Sequence, residues 1–504
     1  GQIKADGTVM VVNRNGVVFD GSSQVNVRNL VAAAAHISDD QFQRNGIYGA
    51  DANTASFTDA LGKVELRQGA QITTHEPGSV TQGGGYVLLL GSEVHNAGEI
   101  TTRKGQAALA AGDQFFIRKG VGTDANTFST TRGNEVAVQH DGESLAGTVT
   151  NTGLILAREG DVTLAGHDVR QQGVAAATTT VNTRGTVHLL NAQSDVTGKV
   201  TLGKDAVTAV LIEDEGQTAL DSQRDALIQQ SSEQDLLRGQ AAAGVFDNYS
   251  KLSDRRDLSR IEIVSGGNVV FEGDSLTLAT GGQIVSDAKG RSFVADRAQV
   301  DVSGAVGVQV AMESNNVQVN IQGNELRDSP LNRDSGNLAN NSVWIDRRSL
   351  ILVPAGTGGY DSDRWYTSNG LLEVGGYLSN AGHSIGEWTA PGGSVLLAGN
   401  EVVTQSGSTV NLAGGTLDVA TGYIRQTWLR GSDGRLYSAD SAPSDMVFKG
   451  VYKGYEDSSA RWGVTRYFHN PLIGPSHRLE NGYTVGRDAG RLIVSAPTAI
   501  LEGD

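Results

Sequence analysis

Short apolar runs, each closed by a turn residue, recur along most of this chain. Within Gly84–Asp113 the runs are Val87–Leu90, Val94–Ile100, which crosses a turn, and Ala107–Ala111. A helix would not tolerate the glycines between them, because each costs about 1 kcal/mol relative to alanine. Runs of this length and punctuation are typical of β-strands. The pattern therefore predicts short strands joined by tight turns.

The same pattern returns along the chain. Val149–Ile155 repeats Val94–Ile100, and Gly160–Asp168 repeats Gly105–Asp113, with the same spacing between the two pieces. We predict further copies at two places, a partial one at Val181–Val187 and a close one of Gly84–Val94 at Gly392–Val402. Repeats of this kind indicate a solenoid, because one unit cannot bury its apolar face alone.

Units of about 20 to 25 residues made only of strands and turns predict a parallel β-helix. The expected fold is all-β, a right-handed parallel β-helix with one helical excursion and a loop-rich C-terminal third. Val, Leu, Ile and Ala would face inward, while Gly and Asn would occupy the turns. At about 4.8 Å per coil, roughly twenty coils would form a rod on the order of 100 Å long.

One segment departs from the strand pattern. Thr218–Gln240 has no proline, and its first glycine is Gly239. Thr218 or Asp221 could cap a helix there. Helical spacing places three apolar residues on one face, Leu220, Leu227 and Ile228. We predict one helix that covers a side or edge of the rod, since the pattern is too short for a coiled coil.

The last third of the chain differs in composition. All 5 Trp lie there, and 7 of the 8 Pro lie after residue 329. The coil repeat continues through Gly392–Leu417, surrounded by long aromatic loops. The predicted divisions are an N-terminal region with the first coils (residues 1–114), further coils (115–212), the helical excursion (213–257), and a β-helix continuation with aromatic loops (258–504).

Charge and composition exclude several classes of protein. The net charge is −16, whereas nucleic-acid binding needs a basic face. No apolar run approaches the length of a membrane-spanning helix. Cysteine is absent, which suits a large protein that crosses a membrane unfolded, because early disulfides would block its passage.

The chain offers no recognisable catalytic or metal-binding pattern. Asp39 and Asp40 form the one tidy early carboxylate pair, and they could equally begin a helix or turn. Gly166–Asp168 and Arg260–Glu262 differ from the corresponding motifs of β-helix galacturonases at the residues that matter. Asp361–Asp363 begins like a calcium loop, but a tryptophan occupies the next ligand position. We therefore predict no catalytic residue, no metal site and no cofactor.

The N-terminal stretch carries a motif. Asn13-Arg14-Asn15-Gly16-Val17-Val18-Phe19 is followed by the alternating segment Val25–Ala32. This arrangement resembles the secretion domain of two-partner secretion exoproteins, the filamentous haemagglutinin family, in which Asn-Pro-Asn-Gly-Ile/Val precedes a Val-rich strand. Arg14 replaces the family's proline, but both asparagines and the glycine are kept. The glycine-rich repeat at Gly84–Asp113 is similar to the coils of the same proteins.

The resemblance implies that residues 1–114 contain part of the secretion domain, and that Asn13, Asn15 and Gly16 form the secretion-motif turn. The family's earlier Asn-Pro-Asn-Leu motif does not occur, and the sequence begins at Gly1 without a methionine. We therefore expect the N-terminal part to be truncated.

The resemblance also implies a function. The protein would be a secreted adhesin at the surface of a Gram-negative bacterium, exported by an outer-membrane transporter partner. Its distal part would bind a receptor or glycan on host or bacterial cells. Aromatic side chains stack on sugars and anchor interfaces, so we nominate Trp365, Tyr366 and Trp428 as ligand-binding residues. Packing within the loops is the alternative role for each.

Three other functions remain open. The rod could be the stalk of a contact-dependent growth-inhibition toxin, which a toxic C-terminal domain would reveal. It could be a biofilm scaffold that assembles without a receptor. It could also be a β-helix polysaccharide lyase or hydrolase, which a turnover assay on acidic glycans would detect.

Overall fold

Parallel strands stacked in three columns form the body of the molecule. The computed structural model describes residues 1–51, 53–77, 84–119, 133–140, 147–226, 245–248, 258–452, 455–468 and 476–504. In each coil the chain passes through column A, then column B, then column C, and every strand pairs in parallel with its counterparts in the coils before and after it. The all-β parallel β-helix prediction is confirmed, while its right-handed sense stays a prediction based on the handedness of parallel crossovers.

Column A is the 10-stranded sheet. Its strands are Val17–Phe19, Lys63–Leu66, Glu93–Asn96, Thr148–Asn151, Asp168–Gln171, Lys199–Leu202, Asn268–Phe271, Arg291–Val294, Glu401–Thr404 and Thr498–Leu501.

Columns B and C together form the 18-stranded sheet, because the long strands Gln2–Val12 and Gln24–Ala33 run through both. Column B continues with Gln71–Thr74, Glu99–Arg103, Leu154–Arg158, Val174–Thr179, Val207–Ile212, Leu276–Ala279, Gln299–Asp301 and Thr409–Asn411. Column C continues with Tyr86–Gly91, Gln106–Ala111, Asp161–Ala165, Thr186–Leu190, Arg260–Ser265, Gln283–Ala288, Ser394–Ala398 and Arg491–Ser495.

The repeats occupy equivalent positions in successive coils. Val149 pairs with Val94, and Ile155 pairs with Ile100. The partial copy predicted at Val181–Val187 is wrong, because Val187 lies in column C. The next coil is instead formed by Val169–Ala175, whose asparagine-turn signature is replaced by Gln-Gln-Gly.

The rod is shorter than predicted. Among the described residues, column A has ten levels, which at about 4.8 Å each give roughly 45 Å. The estimate of about twenty coils was wrong because long segments leave the rod between strands. The longest two lie between columns B and C, at residues 302–393 and 412–490.

Aliphatic side chains fill the interior at each level. Val25, Ile72, Ile100 and Ile155 occupy one such row in column B, and all are buried. Column A continues this interior but contains an amide ladder. Within that ladder, Asn96 donates to Asn151 at 2.8 Å, Asn151 donates to Gln171 at 2.7 Å, and all three side chains are fully buried.

A second apolar core covers the outer face of column C. The hairpin Gln114–Lys119 and Asn134–Gln139 packs there with residues from the excursion at 34–62. That excursion contains the helix Asp39–Asn45, capped by the Ser38 hydroxyl. The Asp39-Asp40 pair therefore begins a helix, and the negative charge of the carboxylates stabilises its N-terminus because that end of the helix dipole is positive.

The predicted helix begins later than expected. Thr218 precedes the two-residue strand Ala219–Leu220, which pairs with Gly382–His383, and residues 221–226 are helical. Leu220 thus belongs to a strand rather than to a helix face, because a distant strand offers it a partner. Leu227 and Ile228 lie outside the described residues.

The two long excursions fold together into a C-terminal module with its own core, which draws Val319 and Val343 from one and Leu429 and Phe448 from the other. Its strands are Val308–Val310, Asn316–Ile321, Asn341–Asp346, Ile351–Val353, Arg364–Tyr366, Thr416–Val419, Gly422–Arg425, Trp428–Gly431, Leu436–Ser438, Phe448–Tyr452, Tyr455–Ser459, Val464–Phe468, His477–Glu480 and Tyr483–Gly486.

The remaining helices are short. The α-helices are Pro330–Ser335, Gly375–Leu378 and Ile385–Thr389, and the 3-10 helices are Val245–Asn248, Met312–Asn315, Asn324–Leu326, Arg347–Ser349 and Thr357–Gly359. The helix Pro330–Ser335 begins with a proline and ends at Gly336, which has a left-handed conformation.

Candidate secretion and binding sites

The predicted secretion motif forms a turn at a corner of the rod, between Gln2–Val12 and Val17–Phe19. The Asn15 backbone N–H donates to the Asn13 side-chain oxygen at 3.1 Å, and the Gly16 N–H donates to the Asn13 carbonyl at 2.9 Å. The side chains of Asn13 and Asn15 are exposed. Thus the structure brings the three predicted residues together, with the asparagine side chain replacing part of the backbone bonding.

Glycine is required at the end of this turn. Gly16 has φ of +123°, and a Cβ there would lie 3.0 Å from the Lys63 carbonyl oxygen in the next coil. Gly62 faces it, since a Cβ on that residue would lie 2.4 Å from the Gly16 nitrogen. The two coils therefore approach more closely at this corner than any side chain would permit.

Two of the nominated aromatic residues lie side by side in the C-terminal module. Trp365 and Tyr366 belong to the strand Arg364–Tyr366 and are half-buried, with Trp365 packed against the module core. The Tyr366 hydroxyl donates to the Asp328 carboxylate. Burial and this carboxylate raise the pKa of Tyr366 well above its usual range, so the phenol stays protonated.

Trp428 lies in a different sheet of the module. It is half-buried on Trp428–Gly431, opposite Ser438 and Tyr452. Its indole N–H is buried and has no acceptor among the residues that the structure describes. The three nominated residues therefore do not belong to one sheet, and their role in ligand binding stays a prediction.

The most exposed aromatic side chains of the module were not among the nominated ones. Trp462 is 73% exposed and Tyr423 is 53% exposed. Trp344 lies beneath the Arg425 guanidinium, 4.3 Å from the ring centroid. Alternation along Gly422–Arg425 is a weak signal for the outward position of Tyr423. The strand that pairs with Gly422–Arg425 is His477–Glu480. Because it is distant in sequence, this pairing could not be inferred from the sequence.

A buried charged cluster lies on the outer face of column C. His188 stands between two carboxylates, with Nε2 3.2 Å from Asp161 and Nδ1 3.1 Å from Glu262. The Thr163 and Thr186 hydroxyls also donate to Asp161. Burial alone would lower the pKa of His188, but the two carboxylates raise that pKa to about 9. The imidazole is therefore charged at neutral pH.

This cluster is covered, and its contacts are those of a structural ion-pair network. Gln106 donates to Asp161 at 3.0 Å and to the Asn134 carbonyl at 2.8 Å, which connects the cluster to the covering hairpin. His188 is 8% exposed, and Asp161 and Glu262 are fully buried. In the described parts of the chain, no group of three His, Asp or Glu residues could hold a metal ion.

No helix within the described ranges is both long and apolar enough to cross a membrane. Comparison with known proteins gives a result for the N-terminal part of the chain. Residues 1–231 match the family model of the TPS secretion domain. No curated protein matches the chain.

The match covers the Asn13–Gly16 turn and the coils as far as the column B strand Val207–Ile212. It confirms the family resemblance predicted from the motif. Such a domain implies export through the outer membrane by a cognate transporter. Residues 1–231 therefore match a TPS secretion domain, which indicates a two-partner secretion exoprotein and is consistent with the resemblance to the haemagglutinin family.

Proposed function

We propose that this exoprotein is a non-enzymatic adhesin of a Gram-negative bacterium, in which the secretion domain directs export and the C-terminal module attaches to cell surfaces. The observation that carries the proposal is the module itself. Two excursions of the rod, each longer than several coils, share one apolar core beside the β-helix. A passive stalk or scaffold would need only the stacked coils, because each coil is stabilised by its neighbours.

Exposed apolar side chains on the module support attachment. Trp462 and Ile351 are 73% and 48% exposed, and aromatic anchors dominate the energetics of protein interfaces. We expect the double variant Trp462→Ser, Ile351→Ser to bind cells at less than about half the wild-type level. The measurement is retention of the labelled full-length protein on epithelial and bacterial cells.

Val18→Ser is the matched control for this experiment, since Val18 is 53% exposed on the rod. Equal retention of the wild type and the double variant would contradict an attachment role for these module side chains. Absence of retention on any cell type would favour the scaffold or toxin-stalk function instead.

We further propose that the Asn13–Gly16 turn contributes to recognition by the transporter. Gly16→Val should reduce export, because the positive φ and the contact with Lys63 exclude a side chain. We expect at least about a tenfold loss of exported protein, given that a strained corner costs about 1–3 kcal/mol at the first coils to fold. The measurement is the amount of full-length protein in the medium when it is co-expressed with its transporter.

Gly7→Val is the control for export, because a Cβ at Gly7 meets nothing within 4 Å and its φ is not positive. Export of Gly16→Val at the wild-type level would show that the turn is dispensable. Export of the wild type without any transporter would contradict the export route altogether.

A further inference from the structure

One outward face of the C-terminal module combines amide side chains with an aromatic ring. The antiparallel strands Asn316–Ile321 and Asn341–Asp346 bury Val319 and Val343 on their inner side. Their outer side carries Gln318 opposite Trp344, with Asn320 and Ser342 as the next pair. Gln318, Asn320 and Ser342 are exposed, so their amide and hydroxyl groups are available to a ligand.

Arg425 extends this face from the neighbouring ribbon. Its guanidinium lies over Trp344 at 4.3 Å, and its backbone N–H donates to the Asn316 side-chain oxygen at 2.8 Å. The side chain is exposed and makes no ion pair with any carboxylate in the described ranges. The stacking holds the guanidinium in place, so little conformational entropy would be lost when its N–H groups bind a ligand.

Tyr423 and Leu479 continue the face beyond Arg425. They are cross-strand partners, 53% and 61% exposed, and His477 lies opposite Arg425. Because residues two apart in a strand point to the same side, Tyr423 and Arg425 project from the same side of the ribbon. The face therefore presents an aromatic ring, a fixed cation and planar amides to the solvent.

The carboxylates at the margins of this face are already engaged. Glu313 accepts the Tyr423 backbone N–H at 3.0 Å. Glu480 pairs with Arg478 at 2.5 Å, and Asp346 pairs with both Arg478 and Arg348. Arg425 therefore provides a positive charge that pairs with no carboxylate among the described residues.

We propose that this face, defined by Gln318, Asn320, Trp344, Tyr423 and Arg425, binds an oligosaccharide that carries a carboxylate. The planar guanidinium matches a carboxylate through two parallel hydrogen bonds. The Tyr423 ring would stack on the apolar side of a sugar ring, and the Gln318 and Asn320 amides would bind its hydroxyl groups. The inference deepens the attachment role proposed above by naming the ligand class and the site.

The test is binding of the full-length protein to oligogalacturonate, measured by calorimetry. We expect saturable binding that Arg425→Gln weakens by at least about tenfold, the usual effect of losing a charge-assisted hydrogen-bond pair. Arg430→Gln is the matched control, because Arg430 is also an exposed arginine of the module without an ion pair among the described residues. Its binding should equal that of the wild type.

The chemistry of the ligand is tested in the same way. The same oligosaccharide with its carboxyl groups reduced to alcohols should bind at least about tenfold more weakly. Wild-type binding by Arg425→Gln, or no binding of oligogalacturonate to the wild type, would overturn the proposal. A preference for dextran sulfate over oligogalacturonate would overturn the assignment to a carboxylate.

The outcome can be separated from that of the attachment experiment. Cell retention that Arg425→Gln leaves unchanged, together with lost oligosaccharide binding, would leave the adhesin function standing and remove this site from it. Oligosaccharide binding without retention on cells would support the site and contradict the adhesin function. Release of shortened oligosaccharides during the titration would show that the protein cleaves its ligand and would contradict the proposal of a non-enzymatic binding site.

Discussion

Replacing His188 by leucine should lower the free energy of unfolding by about 3 to 5 kcal/mol, because breaking a buried ion pair leaves the Asp161 carboxylate without its cation, while Glu262 keeps Arg260 at 3.5 Å. Asp161 and Glu262, both fully buried, would lose the imidazolium that stands between them. The measurement is urea unfolding followed by circular dichroism. His95→Leu is the control, since His95 is half-buried at an outward position and should change stability by less than about 0.5 kcal/mol.

The stabilisation by His188 should depend on pH. Its pKa is about 9 in the folded protein and about 6.5 in the unfolded chain. Its contribution is therefore complete below about pH 6.5 and is lost as the pH rises through about 9. Burial opposes ionisation of Asp161, but His188 and the two threonine hydroxyls lower its pKa. That contribution is present above about pH 3.8 and is lost as the pH falls through the folded pKa of Asp161.

The comparison of the wild type with His188→Gln across this range separates an ionic role from simple packing. The stability difference should shrink between about pH 6.5 and pH 9. A difference that stays constant from pH 5 to pH 10 would mean that His188 acts only through its volume and neutral hydrogen bonds.

The second large effect is expected in the amide ladder of column A. Asn151→Leu should cost about 2 to 5 kcal/mol, because it leaves the Asn96 amide and the Gln171 oxygen buried without their partners. The cost arises inside the rod, where water cannot replace the lost hydrogen bonds. Urea unfolding is again the measurement, and Asn26→Leu at an exposed, outward position of column B should be nearly neutral.

A triple variant tests the mechanism. The ladder lies between Leu66 in the coil before it and Leu202 in the coil after it. Changing Asn96, Asn151 and Gln171 together to leucine would extend this apolar row and should recover part of the loss. Recovery would be incomplete, because Gln171 also donates to the Val207 carbonyl. A triple variant less stable than Asn151→Leu would contradict the ladder as the cause.

The repeat was predictable wherever each coil is formed from adjacent residues. Val94–Ile100 and Val149–Ile155 each contain a strand, a two-residue corner and the next strand, so their pattern is local. The prediction of a copy at Val181–Val187 was wrong because the similar sequence Asn-Thr-Arg-Gly lies there in a turn before a column C strand. In the coil that actually follows, Gln171 takes the ladder position of Asn151. The sequence pattern was based on asparagine and therefore did not identify this coil.

The site predictions divide in the same way. Asn13, Asn15 and Gly16 were predictable because one turn of four residues brings them together. The face around Arg425 was not, since it joins Asn316–Ile321, Asn341–Asp346, Gly422–Arg425 and His477–Glu480, which come from two separate excursions. Trp365 and Trp428 were nominated by residue type, and their partial burial depends on which strands cover them.

The sequence by itself determined the all-β class, the parallel repeat and the secretion motif, because these follow from local periodicity and turn residues. The tertiary structure decided the number of coils, the pairing of the two excursions into one module, the burial of the His188 cluster and the composition of the Arg425 face. Each of these depends on contacts between residues far apart in the chain, and local patterns do not specify which distant strands meet.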